Sequence, residues 1–341
     1  MTYYVLRTVE VIKFDYSMPP SPNPIVYISY RIRTKLRRAG VLFSSLFTTA
    51  QSLRSVFVAI NEKSVNAGTF KHRGVAVANL LGQDIGICGR VEKKYDIYVH
   101  IKWPCNHLRN HSGWHVLDVL DNPRTVISSL HFNAEIFQTN EDISSRCSAP
   151  VCAKIPHHFN MKACLKLRRA ASRARSDLST TEHIGIVGTA RNYDVDNLQS
   201  IFHDKYSAKV VFVREREGFE CEFLLRITFA IAWVKLSTST FRKGGERFTN
   251  PIRFGIRTIG HAAYSAFNEY GQTFLCNSSA CALNLYSQIR NGSYDNEFED
   301  TRRRIIQDTS PSVTRARYMQ VFRSIETQAP SSSVQTEASS M

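Results

Sequence analysis

Cys105, His107, His111 and His115 recur at spacings that would place the three histidines near one face of a helix, and imidazoles with a thiolate are donors that zinc accepts. Pro104, Asn106, Asn110, Ser112 and Gly113 argue instead for a loop between two strands. No second Cys-x-x-Cys or His-x-x-x-His unit completes a metal spacing, so no metal and no cofactor is assigned. Gly185-Ile-Val-Gly188 sits after a strand and before a helix, where a dinucleotide-binding turn would lie. The Gly-x-Gly-x-x-Gly pattern that chemistry requires is not met, and the pair reads as a turn. The pairs Cys147 with Cys152 and Cys276 with Cys281 are too loosely spaced to name, and no cysteine carries a nucleophile signature. No catalytic residue is therefore nominated, and the chain is not expected to be an enzyme.

The basic clusters are the stronger signal. Arg31 to Arg38, Lys162 to Arg175 (with Lys166, Arg168, Arg169, Arg173 and Arg175), Phe241 to Arg257 (with Arg242, Lys243, Arg247, Arg253 and Arg257) and Arg302 to Arg304 hold much of the excess charge. Each alone could be an ordinary solvated face. Gathered on one side of the molecule, they would bind phosphates additively. Aromatic residues do not alternate with arginine as in a single-strand-binding platform, which favours lipid or polyanion contact over base reading.

Composition agrees with that emphasis. Against 29 Asp and Glu stand 44 Lys and Arg, a net charge of +15, and a field of that sign concentrates anionic partners. With 341 residues and 43% apolar residues the chain is long enough for two domains. The first residues carry Arg7 and Glu10 and no apolar run of signal-peptide length, so a reducing compartment is expected for the eight cysteines. On that expectation the sequons at Asn277 and Asn291 are chance matches. The longest strongly apolar segment, Phe223 to Leu236, contains Arg226 and Lys235 and is too short to span a bilayer.

The elements that must position these residues read mainly as strands with short helices. Four prolines in Met18 to Pro24 mark an extended entry, so residues 1–22 form an N-terminal segment and 23–172 the first domain. Ile97 to Trp103 alternates as a half-buried strand, with Tyr98, His100 and Lys102 on its polar side. The acid-free run Lys162 to Arg175 passes into a Ser/Thr-rich stretch, which makes 173–183 a linker. The second domain, 184–325, opens with a strand at Ile184 to Val187, a helix capped by Asp194, and a strand at Ala208 to Val213. Leu225 to Trp233 follows as the clearest alternating strand. Helices are expected at His261 to Tyr270 and Ala280 to Ile289, and a disordered tail at 326–341.

Several short stretches, in order, resemble the matrix proteins of paramyxoviruses and related negative-strand RNA viruses. They are Leu130-His-Phe-Asn-Ala134, Ala153-Lys-Ile-Pro156, His183 to Val187, and the strand Phe223 to Leu236 running into Ser237-Thr-Ser-Thr-Phe241. Asn23-Pro-Ile-Val26 is similar to that family's Phe-Pro-Ile-Val budding motif, with Asn in place of the aromatic anchor. The resemblance implies an α+β, mainly β fold of two β-sandwich domains of similar topology. It further implies a virion structural protein that forms a homodimer and a higher lattice under the envelope. Its partners would be anionic membrane lipids, the nucleocapsid and glycoprotein cytoplasmic tails, with nucleic acid bound only non-specifically. The expected locations are the virion, the host cytoplasm and the inner face of the plasma membrane, with transit through the nucleus on a signal in Lys166 to Arg175. A different class, the single-stranded nucleic-acid-binding movement proteins, is suggested by Leu120-Asp121 with Arg124, one residue out of that family's spacing. An enzyme, carried by Gly185 to Gly188 and the histidine loop, is the third reading.

Overall fold

Val56-Phe-Val-Ala-Ile60 is apolar at every position, and all five residues are buried. A strand with no polar face must be covered on both sides, which is the condition of a parallel sheet with layers above and below it. The computed structural model describes residues 54–61, 70–91, 93–120, 131–157, 183–186, 195–212, 227–232 and 245–328. In chain order the strands are β1 (Val56–Ile60), β2 (Asp84–Ile87), β3 (Ile97–Ile101), β4 (Trp114–Asp118), β5 (Ala134–Phe137), β6 (Val151–Lys154), β7 (His183–Ile186), β8 (Lys209–Phe212), β9 (Phe229–Ala232), β10 (Arg257–His261) and β11 (Leu275–Cys276). The helices are α1 (Ala76–Leu81), entered through a π-helical turn at Phe70–Val75, then α2 (Asn140–Arg146), α3 (Val195–Tyr206), α4 (Glu246–Arg253), α5 (Ser265–Asn268), α6 (Ser279–Arg290), α7 (Asp295–Asp308) and α8 (Pro311–Gln328).

Two sheets result, in the orders β2-β1-β3-β4-β5-β6 and β11-β10-β9-β7-β8. Every pairing in both is parallel. Counted from its own first strand, each sheet runs 2-1-3-4-5, the first with a sixth strand added, and this is a doubly wound order. The expectation of a mainly β chain with two β-sandwiches is thereby overturned; the fold is α/β. The physical source of the error is visible in β3. Tyr98 and His100 were assigned to a polar face, yet both are wholly buried, because β3 lies between β1 and β4 and is covered on both sides. Likewise the strand expected over Leu225 to Trp233 is described as β9, Phe229–Ala232, all four residues buried between β7 and β10.

The strands expected near Ile184 and Ala208 and the helix between them appear as β7, β8 and α3, and the helix over Ala280 to Ile289 appears as α6. Ser278 begins α6 by accepting the Cys281 backbone N–H at 3.2 Å, one of the donors a helix start leaves unpaired. The segment read as a helix over His261 to Tyr270 is the end of β10 followed by the short α5. There Gly260 lets three side chains close on the strand. A Cβ at that position would lie 2.8 Å from Leu275 and 2.9 Å from both Phe248 and Phe267.

Each sheet has its own apolar core. That of the second is built from Ile184, Phe229, Ile231, Phe248, Ile259 and Tyr286 with their neighbours. That of the first contains Val58, Val99, Val116 and Ile136, and it is completed by Tyr318, Val321, Phe322 and Ile325 of α8. The chain therefore returns from the second sheet to close the core of the first, and the boundary expected at 325 falls inside α8. The segments at 1–22 and most of 173–183 and 326–341 lie outside the described residues.

α8 is held by a buried ionic knot. Arg73 and Asp118 have almost no exposed surface, and Arg73 Nε donates to Asp118 Oδ2 at 2.7 Å. Its two Nη atoms reach the Pro156 and Ile155 carbonyls at 2.9 and 2.8 Å. Tyr318 of α8 donates its hydroxyl to the same Asp118 oxygen at 2.6 Å.

Candidate cleft at the carboxyl edges of the two sheets

In open doubly wound sheets ligands settle outside the carboxyl ends of the strands, at the point where the strand order reverses. For the first sheet that point lies between β1 and β3. Asn61, next after β1, donates its side-chain N–H to the Pro104 carbonyl at 2.9 Å, joining the two strand-end loops. Lys102 and Leu120, just past β3 and β4, adopt left-handed backbone with φ of 66° and 52°. Neither is glycine, and such conformations cluster at binding sites because the surroundings must hold them. For the second sheet the reversal lies between β7 and β9, and the turns after both strands, Gly188 included, lie outside the described residues.

The two carboxyl edges meet. Lys154, the last residue of β6, pairs with Glu269 beyond β10 at 2.9 Å. Glu269 also accepts the backbone N–H of Asn140 at 2.7 Å and its side-chain N–H at 3.3 Å. Arg253 of α4 donates to the His157 carbonyl at 3.1 Å. Beside these bridges lies a small recess of about 10 Å³, room for about one water, lined by Gln138, Pro156, His157, Gly245, Thr249, Ala266, Tyr270 and Thr309. Gln138, Thr249 and Thr309, themselves buried, bring polar groups to it. Tyr270 closes one side, its hydroxyl donating to Asp308 at 3.0 Å. Burial, with the Asp308 charge next, pushes that phenol far above its ordinary range, so it is a fixed neutral donor.

The nominated residues are placed as follows. Of the Arg242 to Arg257 cluster, Arg242 and Lys243 lie outside the described residues. Arg247 is half-buried, and Arg253 is 2% exposed and bonded to Asn250 and His157. Arg257 pairs with Asp295. The described members of the cluster are thus engaged within the fold. Arg302, Arg303 and Arg304 pair with Glu299, Asp300 and the Tyr270 carbonyl. Lys166, Arg168, Arg169, Arg173 and Arg175, together with Asn23, Pro24, Ile25 and Val26 and the residues Asp121 and Arg124, lie outside the described residues.

Among the described residues no group of three or more His, Cys, Asp or Glu is arranged to hold a metal ion. His107 is exposed, and Cys105 forms a disulfide with Cys88. His115 instead joins a buried relay. The Cys105 backbone N–H donates to His100 Nδ1 at 3.0 Å, which leaves the His100 proton on Nε2 to be donated to His115 Nδ1 at 2.9 Å. His115 then donates from Nε2 to the His111 carbonyl at 3.3 Å. In parallel, Tyr98 takes the Tyr95 N–H and donates to His111 Nδ1, both at 2.9 Å. Both ring nitrogens of His100 and of His115 are satisfied with the two rings neutral. Burial holds both below the usual imidazole range, and for His100 the neighbouring His115 adds to it.

A second disulfide joins Cys147 to Cys152, between α2 and β6. Disulfides persist mainly in oxidising compartments, whereas the sequence led to the expectation of a reducing one. The signal was available only as two cysteines 17 residues apart, and the strand ends of β2 and β3 are what bring them together. Reduction of Cys88–Cys105, which closes a loop of that length, is expected to cost about 3 kcal/mol of stability. Urea unfolding with and without a phosphine reductant measures it, and coincident curves would mean that the bond constrains nothing. Sequence reading also missed Asp118 and Glu269. Asp118 was discoverable as a carboxylate closing an apolar strand; Glu269 had no local signal.

No protein-family model matches the chain, and no curated protein matches it at a significant level. Among the described residues no helix is long and apolar enough to cross a membrane.

Proposed function

We propose that this chain is a two-substrate group-transfer enzyme of the glycosyltransferase kind, holding a nucleoside-diphosphate-activated sugar at one sheet edge and an acceptor hydroxyl at the other. The observation that carries the reading is topological: two doubly wound parallel sheets of the same order bring their carboxyl edges together, through Lys154 with Glu269 and Arg253 with the His157 carbonyl. One such edge suits one ligand, and two edges in contact suit a donor and an acceptor. The missing Gly-x-Gly-x-x-Gly pattern speaks against a dinucleotide, and the charge of +15 favours a diphosphate. In the transfer, the bond from the sugar's anomeric carbon to the diphosphate oxygen breaks. A bond from that carbon to the acceptor oxygen forms, and the hydroxyl proton passes to a base. The membrane-matrix reading is not carried forward, because the β-sandwich pair it requires is replaced by parallel sheets.

The test is thermal and chemical unfolding of the full chain with uridine and guanosine diphosphate sugars. A true donor at one hundred times its dissociation constant adds about 2.7 kcal/mol of stability, and the free sugar adds nothing. Thr249→Val and Gln138→Leu are expected to weaken that stabilisation several-fold. If no nucleoside diphosphate sugar stabilises the chain, the proposal fails.

A further inference from the structure

We propose that Asn277 and Asn291 are N-glycosylation sites. Both stand in the acceptor pattern, Asn277-Ser278-Ser279 and Asn291-Gly292-Ser293, where the third-position hydroxyl is required. The pattern alone is common, so placement and compartment must carry the inference. Both asparagines are exposed, and neither lies in a strand or helix. Asn277 follows β11, immediately before the Ser278 cap of α6, and Asn291 ends the same helix. Gly292 turns the chain away with φ of 81°, so the sequon projects on a turn and not along the helix.

The compartment follows from Cys88–Cys105 and Cys147–Cys152, which form where the glycosylation machinery also works. This reverses the reading of the sequons as chance matches, which depended on a reducing environment. The inference does not rest on the proposed transfer activity.

In the modification, the asparagine amide nitrogen bonds to the anomeric carbon of an oligosaccharide carried on a lipid diphosphate. The bond from that carbon to the diphosphate oxygen breaks, the lipid diphosphate leaves, and the amide proton passes to a base of the transferring enzyme. The two glycans would stand at opposite ends of a 12-residue helix, about 18 Å apart. Asn277 lies at the carboxyl edge of the second sheet, on the cleft side, and Asn291 at the far edge.

The full chain, delivered to the endoplasmic reticulum of cultured cells by a cleavable leader, is treated with peptide N-glycosidase and compared by gel mobility. Because the exposed Asn110-His111-Ser112 also matches the acceptor pattern, all arms are built on N110Q; two stepwise increments are then expected, with one lost on adding N277Q, one on adding N291Q and both on adding the two together. Ser279→Ala and Ser293→Ala remove the required hydroxyl while keeping the asparagines, so they give the same losses if a glutamine variant fails to fold. Mapping of the Cys88–Cys105 peptide in the same material reports that the chain is folded and oxidised. An oxidised chain with no enzyme-sensitive shift overturns the proposal, and a single increment overturns it for the unmodified site. Recovery of the chain with Cys88 and Cys105 as free thiols overturns the compartment argument on which both sites stand.

Discussion

Replacing Asp118 with alanine is expected to destabilise the fold by about 3–5 kcal/mol, a large share of a typical domain's stability. The cost comes from what remains. Arg73 has no exposed side-chain surface, and Asp118 is the anion that balances it. Arg73 also donates to the carbonyls of Ile155 and Pro156, which are neutral and cannot offset a guanidinium held out of water. Tyr318→Phe removes one hydrogen bond to a charged acceptor and keeps the ion pair, so a smaller loss of about 1.5–3 kcal/mol is expected. The two variants separate ion balance from helix docking. Denaturant midpoints of the purified variants measure both, and an Asp118→Ala midpoint close to that of the unaltered chain would show that the ion pair contributes little. Because α8 belongs to the first core by packing and to the second unit by sequence, Tyr318→Phe should also loosen the cleft, seen as faster hydrogen exchange in β6 than in β9.

The second large effect is a loss of stability in mild acid. His100 and His115 are buried and neutral, so their folded-state pKa values lie below the unfolded value of about 6.5. Between those two values the unfolded chain binds more protons than the folded one, and stability rises with pH across the window. It is fully present above about pH 6.5 and falls as the pH drops beneath it, by up to about 1.4 kcal/mol per pH unit for each histidine. A proton on His100 Nδ1 would face the Cys105 N–H that now donates to it, so protonation breaks the relay as well as burying charge. Urea unfolding at pH 7.5, 6 and 5 checks the slope. The His100→Gln variant is expected to lose about half of it, and a flat profile would mean that the relay opens to water before it titrates.

Much of the secondary structure is legible in the residues. Asp194 before an amphipathic stretch placed α3, the apolar spacing over Ala280 to Ile289 placed α6, and runs of branched apolar residues located β7 and β8. Sheet type is not legible locally. The apolar run of β9 satisfies a buried strand in a sandwich or in a parallel sheet, and only the partners on either side distinguish them. The alternation in β3 misled for the same reason, since tyrosine and histidine look like a solvent face until cysteine, histidine and backbone partners are brought over them.

Charge shows the corresponding limit for the site. Composition establishes a cationic chain, but Arg253 and Arg257 turned out to be engaged within the fold, because a side chain's partners depend on elements distant in sequence. What the residues alone determine is the length, the cationic excess, some of the turn chemistry and the positions of four strands, β3, β7, β8 and β9. What the tertiary structure decides is that the strands run parallel, that α8 crosses back to the first core, that Cys88 meets Cys105, and that Lys154 meets Glu269 across two sheet edges. Those four facts concern residues brought together over separations of 17 positions, as between Cys88 and Cys105, to 200, as between Asp118 and Tyr318. Local propensity acts over a few residues, whereas these meetings are selected by burial of both sheets at once.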